Sequence, residues 1–319
     1  MKSLWKFGGL RLTDLLKRVW SEIQEDEVFG RGAQLAYYFL LALFPLLFFL
    51  TSVIGLLLGS GTGLRHSLFN YLSSVLPGSA FTVVDRTMYE VSETSSGSKL
   101  TFGVLAALWA ASNGMGAITQ ALNVAYDVEE SRPWWKQRLV AVQLTVLLSF
   151  LIVTALILLL YGSRIADWLA AYFGFGTAFG LVWKIAQWPL VLLFMLLAFA
   201  FIYYAAPDLK EQKWTWLTPG SAMGVTIWLL VSFGFKVYLH FFNSYSATYG
   251  SLGAVIILML WLYFAGSAIL IGGEINSVIE DAAAEAGDPE AKEKGEKAPN
   301  DYERDNRSVE SNLRTRKRV

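Results

Sequence analysis

The sequence contains no cysteine, which excludes disulfides, thiolate metal sites and cysteine nucleophiles. Histidine is nearly absent. His66 and His240 stand too far apart for metal-ligand spacing, and neither metal nor cofactor is implied. Charged residues make up only 16% of the chain, against roughly 25% in soluble domains. The formal net charge is zero, so nothing in the charge balance calls for nucleic acid. There is no glycine-rich phosphate loop, nucleophile elbow or paired histidine on a helix. The expectation is a protein that is not an enzyme.

What fills the 319 residues instead is apolar: 55% are hydrophobic. Six stretches carry no Asp, Glu, Lys or Arg: Ala33–Leu64, Leu100–Tyr126, Leu139–Ser163, Ile185–Pro207, Trp214–Phe235 and Val237–Gly273. Each has the roughly 20 residues that a helix needs to cross a bilayer core. They predict an all-α, polytopic membrane bundle of six transmembrane helices, near 33–58, 100–119, 139–161, 184–206, 217–236 and 252–274. Loop charge sets the orientation. With the N-terminus inside, the inner segments hold 20 Lys and Arg and the outer ones 6, so both termini are expected to be cytoplasmic. The first 32 residues lack the compact apolar core of a cleavable signal peptide. The first span then serves as the insertion signal.

Three segments outside the spans carry further pattern. In 1–32, Leu12, Leu15, Leu16, Val19, Trp20 and Ile23 recur at helical spacing, the mark of an amphipathic helix. It either lies on the inner membrane surface or packs on the protein's own cytoplasmic face. In 59–99, Leu64, Leu68, Tyr71, Leu72, Val75 and Leu76 mark a second amphipathic helix before Pro77-Gly78. A further helix near Ala80–Val91 would complete a small periplasmic cap. The 275–319 tail has 11 acidic and 9 basic residues and few large apolar ones, a composition that resists folding.

Polar groups within the spans are the candidate site residues, because desolvation makes them costly there. Asn113 lies between Ser112 and Gly114, with Gly116 beyond. It suits either a broken helix at a substrate site or an interhelical hydrogen bond beside small residues. Glu274, at the inner end of the last span, could bind a proton or cation, pair with Arg132, Arg138 or Lys213, or be a solvated helix end. Lys236 and His240, with Arg164, Lys184 and Tyr249, form a candidate outer basic and aromatic rim. The rim either recognises a lipid headgroup or simply snorkels to the interface. Pro45 interrupts the first span and is expected to kink it. Gly220 and Gly224 form a GxxxG pair suited to helix packing.

Taken together, several motifs resemble the YihY/BrkB family of bacterial inner-membrane proteins, once labelled ribonuclease BN. They are Ala36-Tyr-Tyr-Phe-Leu-Leu-Ala-Leu-Phe-Pro45, Leu122-Asn-Val-Ala-Tyr126, Arg132-Pro133, Tyr204-Ala-Ala-Pro207, Pro219-Gly220, Tyr249-Gly-Ser-Leu-Gly253, Leu260-Trp-Leu-Tyr263 and Gly273-Glu-Ile-Asn276. The resemblance covers about residues 10–280 and adds Asn276 to the candidate residues. Ala42 stands where the family often has serine. The resemblance implies a multi-pass inner-membrane protein without fixing an activity.

The leading expectation is a protein that binds or moves lipid or another amphiphile in the bacterial envelope. Its partners would be membrane lipids, with envelope lipid-transport components and a homo-oligomer also compatible. A secondary transporter of ions or small solutes is the alternative. It would want ionisable groups at the midplane and an internal repeat, and neither is evident. A non-transporting scaffold is the third reading. Ribonuclease activity fits poorly, since the cytoplasmic pieces offer no positive phosphate-binding groove.

Overall fold

The hydrophobic runs become long helices in the computed structural model, which describes residues 4–58, 70, 97–173, 178–209, 217–241, 245–288 and 291. A short 3-10 turn, Leu4–Gly9, leads into α1 (Leu12–Glu25). Then come α2 (Val28–Leu58), α3 (Gly97–Ala125), α4 (Trp134–Phe173), α5 (Ala178–Ala205), α6 (Pro219–Phe241) and α7 (Tyr245–Glu285). No strand occurs among the described residues. Four segments have the length and apolar composition to cross a membrane: Trp134–Leu159, Ile185–Ala205, Pro219–Tyr238 and Val255–Glu285.

The bundle closes through α2, which packs on both α3 and α7, while α6 also lies along α7. A second run of neighbours, α3 to α4 to α5 to α6, completes the ring. Helix ends are fixed by recognisable devices. Asp127 adopts φ 53 and ends α3, with the Val128 N–H donating to Asn123 O at 2.8 Å; a short polar side chain tolerates this left-handed turn. Pro219 opens α6, a position where its missing N–H costs nothing. There Thr218 and Ser221 cap each other, each side-chain oxygen accepting the other's N–H at 3.0 Å. Both Pro45 and Pro189 lie inside continuous helices.

One end of the bundle is capped by α1. Its Leu15, Val19 and Ile23 are buried, and the helix packs against α7 and α2. Leu12, Leu16 and Trp20 remain outward. The amphipathic pattern therefore serves protein packing on one half of its apolar arc. Beside it, Gly8 meets the backbone of α7 so closely that a Cβ would fall 2.6 Å from the Ile279 carbonyl oxygen. Its φ of 60° is also one that glycine adopts freely.

The expected boundary at 275 falls inside a helix. Ile275, Val278, Ile279, Ala282 and Ala283 are buried, so this apolar stripe carries α7 on to Glu285 beneath α1 and the N-terminal turn. The rest of the tail expected to resist folding, from 292, lies outside the described residues, as does nearly all of the 59–99 cap.

Candidate functional site

Three motif segments meet at the capped end. Asn123, just before the α3 turn, donates from its amide to Glu130 Oε2 at 2.9 Å and accepts the Asp208 N–H at 2.8 Å. Arg132 donates from Nε to Glu130 Oε1 at 2.6 Å, and from Nη2 to Glu130 Oε2 and the Ala206 carbonyl, both at 2.8 Å. Asp208 Oδ1 lies 3.5 Å from the same guanidinium, while its Oδ2 accepts from Ser131 N and Oγ at 2.8 and 2.5 Å. Burial pulls the Glu130 carboxyl upward, but its bonds to Arg132 and Asn123 outweigh this and hold it below the ordinary 4.5. Burial works against the Arg132 charge as well, and Glu130 and Asp208 override it. This knot ties the α3–α4 connection to the end of α5. All its charges are paired, so its role is structural.

A second cluster is made of small residues. Gly220 donates its N–H to Asn276 Oδ1 at 2.8 Å, and Tyr203 Oη donates to the Ile269 carbonyl at 2.8 Å. A Cβ on Gly272 would fall 2.7 Å from the Gly220 carbonyl and collide with the Tyr203 hydroxyl. One on Gly224 would reach that hydroxyl at 2.8 Å. Gly220 and Gly224 are therefore packing residues of the α5–α6–α7 seam, and Asn276 ties α7 to the start of α6.

Glu274 is only 1% exposed, and its neighbours are acidic. Its carboxyl lies beside Asp26 at the α1–α2 turn, with Glu22 and Asp127 nearby. The expected cationic partners are elsewhere: Arg132 in the knot, Arg138 on Asn113, and Lys213 outside the described residues. The solvated-end alternative does not hold either.

Of the two readings of Asn113, the structure shows the interhelical hydrogen bond and not the broken helix. Helix α3 runs unbroken through Asn113-Gly114-Met-Gly116, so no substrate site arises from unwinding. The interhelical bond exists, with Arg138 Nη1 donating to Asn113 Oδ1 at 2.7 Å, yet Asn113 is exposed at the bundle surface. Arg138 Nη2 also donates to the Trp109 carbonyl, and the guanidinium stacks 4.0 Å from the centroid of the Trp109 ring. Trp134 lies 6.1 Å from Trp109.

These groups border a cavity of about 350 Å³ between α2, α3 and α4. Ala42, Ala110, Ala117 and Ala141 line it with small apolar groups; Asn113, Thr119, Gln120, Gln137 and Arg138 supply polarity. Tyr38, Leu41 and Trp134 belong to its wall and are themselves outward, Leu41 by 56% and Trp134 by 68%. The cavity thus opens at the outer surface of the bundle, beside these side chains. Gly116 also lines it, and a Cβ there would meet nothing within 4 Å. Gly114 instead lets α3 approach Ala42 and Phe39 of α2, at 3.4 Å from an added Cβ.

Of the outer rim, Lys236 is an exposed residue of α6. The side chains of Arg164, Lys184, His240 and Tyr249 lie outside the described residues. Sequence reasoning missed Arg138 and Thr119 as cavity residues, and Trp109 as the ring on which Arg138 stacks. A signal was present: Trp109, Asn113, Gly116 and Gln120 follow helical spacing and mark one polar-aromatic stripe on α3.

Comparison with known proteins bears on the whole chain. Residues 19–297 match the family model described as Virulence factor BrkB. A Bacillus subtilis (strain 168) protein named ribonuclease-like protein YfkH is 37% identical over 83% of this chain and 94% of its own length. Two proteins of Xanthomonas, named UPF0761 membrane proteins, from X. oryzae pv. oryzae (strain PXO99A) and X. campestris pv. campestris (strain B100), are 24% and 23% identical over 81% of this chain. The chain spans 59% of the length of each of these two. No solved structure matches. With its apolar helices and a family match over most of its length, the chain is a membrane protein that belongs to the BrkB family.

Proposed function

We propose that this protein is a six-span protein of the bacterial inner membrane, both termini cytoplasmic, that binds or moves lipid or another amphiphile and does no covalent chemistry. The observation that carries the reading is the cavity between α2, α3 and α4, open at the outer surface of the bundle. Its volume lies in the range of small-molecule pockets, and its wall joins small apolar side chains to a few convergent polar ones. A lipid reaches such a cavity from within the bilayer, headgroup first, while its chains stay among the lipid-facing side chains of α2 and α4. Loop charge supports placing the capped end in the cytoplasm. Arg138, four residues into α4, then lies about 6 Å inside the helix end, at the level of the cytoplasmic-leaflet headgroups. The ribonuclease wording attached to the Bacillus relative describes that protein; nothing in the cavity's sideways opening favours an RNA strand. Envelope lipid-transport components are the partner class such a role implies.

The test is native mass spectrometry of protein released from gentle detergent, with Gly116→Leu as the plug. This substitution fills the cavity from a position where a Cβ meets no neighbour. Retained stoichiometric lipid in the parent, lost in the plugged variant, is expected. Equal retention in both sinks this placement of the site.

A second reading, proton-coupled transport of a solute, is favoured by one observation, the buried Glu274 among the acidic side chains of Asp26, Glu22 and Asp127. Glu274→Gln in proteoliposomes would then abolish a pH-driven flux; unchanged flux would dismiss it.

A further inference from the structure

We infer that the cavity between α2, α3 and α4 is built for a phosphate group, supplied by the headgroup of a cytoplasmic-leaflet phospholipid. This rests on the proposed lipid-binding role and names the chemistry of its ligand.

The first observation is an uncompensated cation. No Asp or Glu is among the residues lining the cavity, and Arg138 is held by neutral acceptors, the Asn113 amide oxygen and the Trp109 carbonyl. Two other arginines are treated differently: Arg132 is clamped by Glu130 and Asp208, and Arg18 meets both oxygens of Glu285 at 2.9 and 3.0 Å. At the headgroup level Arg138 has neutral acceptors but no such carboxylate, which leaves its charge for an anion to join.

Two unmatched donors make the second observation. Of the five guanidinium N–H donors, Arg138 Nε is buried and has no hydrogen-bond partner among the described residues. The Thr119 hydroxyl, on a residue only 3% exposed, has none either. In a helix such a hydroxyl usually donates to the carbonyl four residues earlier. Thr145, Thr154 and Thr226 all do so here, at 2.7 to 2.8 Å. Thr119 departs from that habit, and it does so in the cavity wall.

Stacking of the guanidinium on Trp109, with Trp134 alongside, fixes the plane of Arg138. A fixed guanidinium fork presents its remaining donors in the geometry that phosphate oxygens accept. A tetrahedral oxyanion answers both the charge and the free Nε donor, whereas an uncharged headgroup offers Arg138 only neutral acceptors of the kind it already has. The sideways opening bordered by Tyr38, Leu41 and Trp134 selects a membrane-borne source over a dissolved one.

The experiment measures retention, by native mass spectrometry, of added phosphatidylglycerol and of diacylglycerol with the same chains, with and without excess inorganic phosphate. The parent is expected to keep phosphatidylglycerol stoichiometrically and release diacylglycerol. Free phosphate should fail to displace the lipid; displacement would make dissolved phosphate the ligand and overturn the lipid source. Arg138→Leu should lower phosphatidylglycerol retention about tenfold or more, the value of one charge-assisted hydrogen bond. Thr119→Val, which keeps shape and leaves the bundle folded, should lower it several-fold. Equal retention of both lipids, with both lost in Gly116→Leu, would leave the cavity a lipid site and refute phosphate recognition. Retention of neither lipid by the parent would remove the lipid-binding role itself. Unchanged phosphatidylglycerol binding in Thr119→Val together with Arg138→Lys would show that the two donors have no part in it.

Discussion

Replacing Arg132 by alanine tests how the connections at the capped end are held. The side chain makes two bonds to Glu130 and one to the Ala206 carbonyl, with Asp208 at 3.5 Å. Exposure is small: 15% for Arg132, 18% for Glu130 and 10% for Asp208. Removing one member of a fully buried ion cluster costs about 3–5 kcal/mol, because the surviving charges are left unmatched. Here the loss is smaller. Glu130 keeps the Asn123 amide and Asp208 keeps two donors from Ser131, and partial exposure admits water. A cost of about 2–3 kcal/mol follows, equivalent to about a 30- to 160-fold shift in the unfolding equilibrium. Equilibrium unfolding in mixed detergent micelles reads it. In a Glu130→Gln, Asp208→Asn background the same replacement should cost under about 1 kcal/mol, since no stranded carboxylate remains. An undiminished cost in that background, or no cost in the parent, would refute the electrostatic account of the knot.

Three more predictions follow from the same coordinates. Glu130 has its pKa depressed on folding, so its stabilising contribution is full above the unfolded value near 4.5 and is lost as pH falls through the lower folded value; Glu130→Gln should flatten that acid limb in a detergent unfolding series, and an unchanged limb would assign it to other groups. Gly272→Val should prevent assembly of a monodisperse protein, because the new side chain meets the Gly220 carbonyl and the Tyr203 hydroxyl, whereas Gly116→Ala should elute on size exclusion like the parent. Arg18→Ala breaks an exposed pair with Glu285, so the unfolding midpoint should hold within the about 1 kcal/mol that surface pairs contribute; a larger loss would mean that the pair also anchors α1.

How much of this was readable beforehand depends on the range of the physics involved. Hydropathy is local, and it located the helices of the bundle. It missed the last eleven residues of α7 because Ile275, Val278, Ile279 and Ala282 are diluted by neighbouring acids, and only the helical spacing reveals them. The family motifs pointed to the right positions but not to their work: Asn123, Arg132 and Ala206, from three motifs, turn out to form one knot. Glu274 was matched to cations by opposite charge. Contact depends on which helices are neighbours, and α4, which carries Arg138, packs on α3 and α5 while Glu274 faces the α1–α2 turn. The cavity was the least legible feature, since it is formed by three helices and no single segment encodes it. Asn113 was singled out for its polarity, and the stripe through Trp109 and Gln120 was the remaining clue.

The close approach of Gly8 to α7 has a consequence for biogenesis. Arg18 and Glu285, which meet beside it, are separated by 267 positions in the chain. A ribosome therefore delivers the N-terminal turn and α1 long before the surface they cover exists. Until α7 has been inserted, the Leu15–Val19–Ile23 stripe has no protein to lie on, and the nearest apolar phase is the membrane itself. The outward Leu12, Leu16 and Trp20 continue that stripe on the same helix. The stripe on α1 is thus covered only when α7, made much later, comes to lie against it.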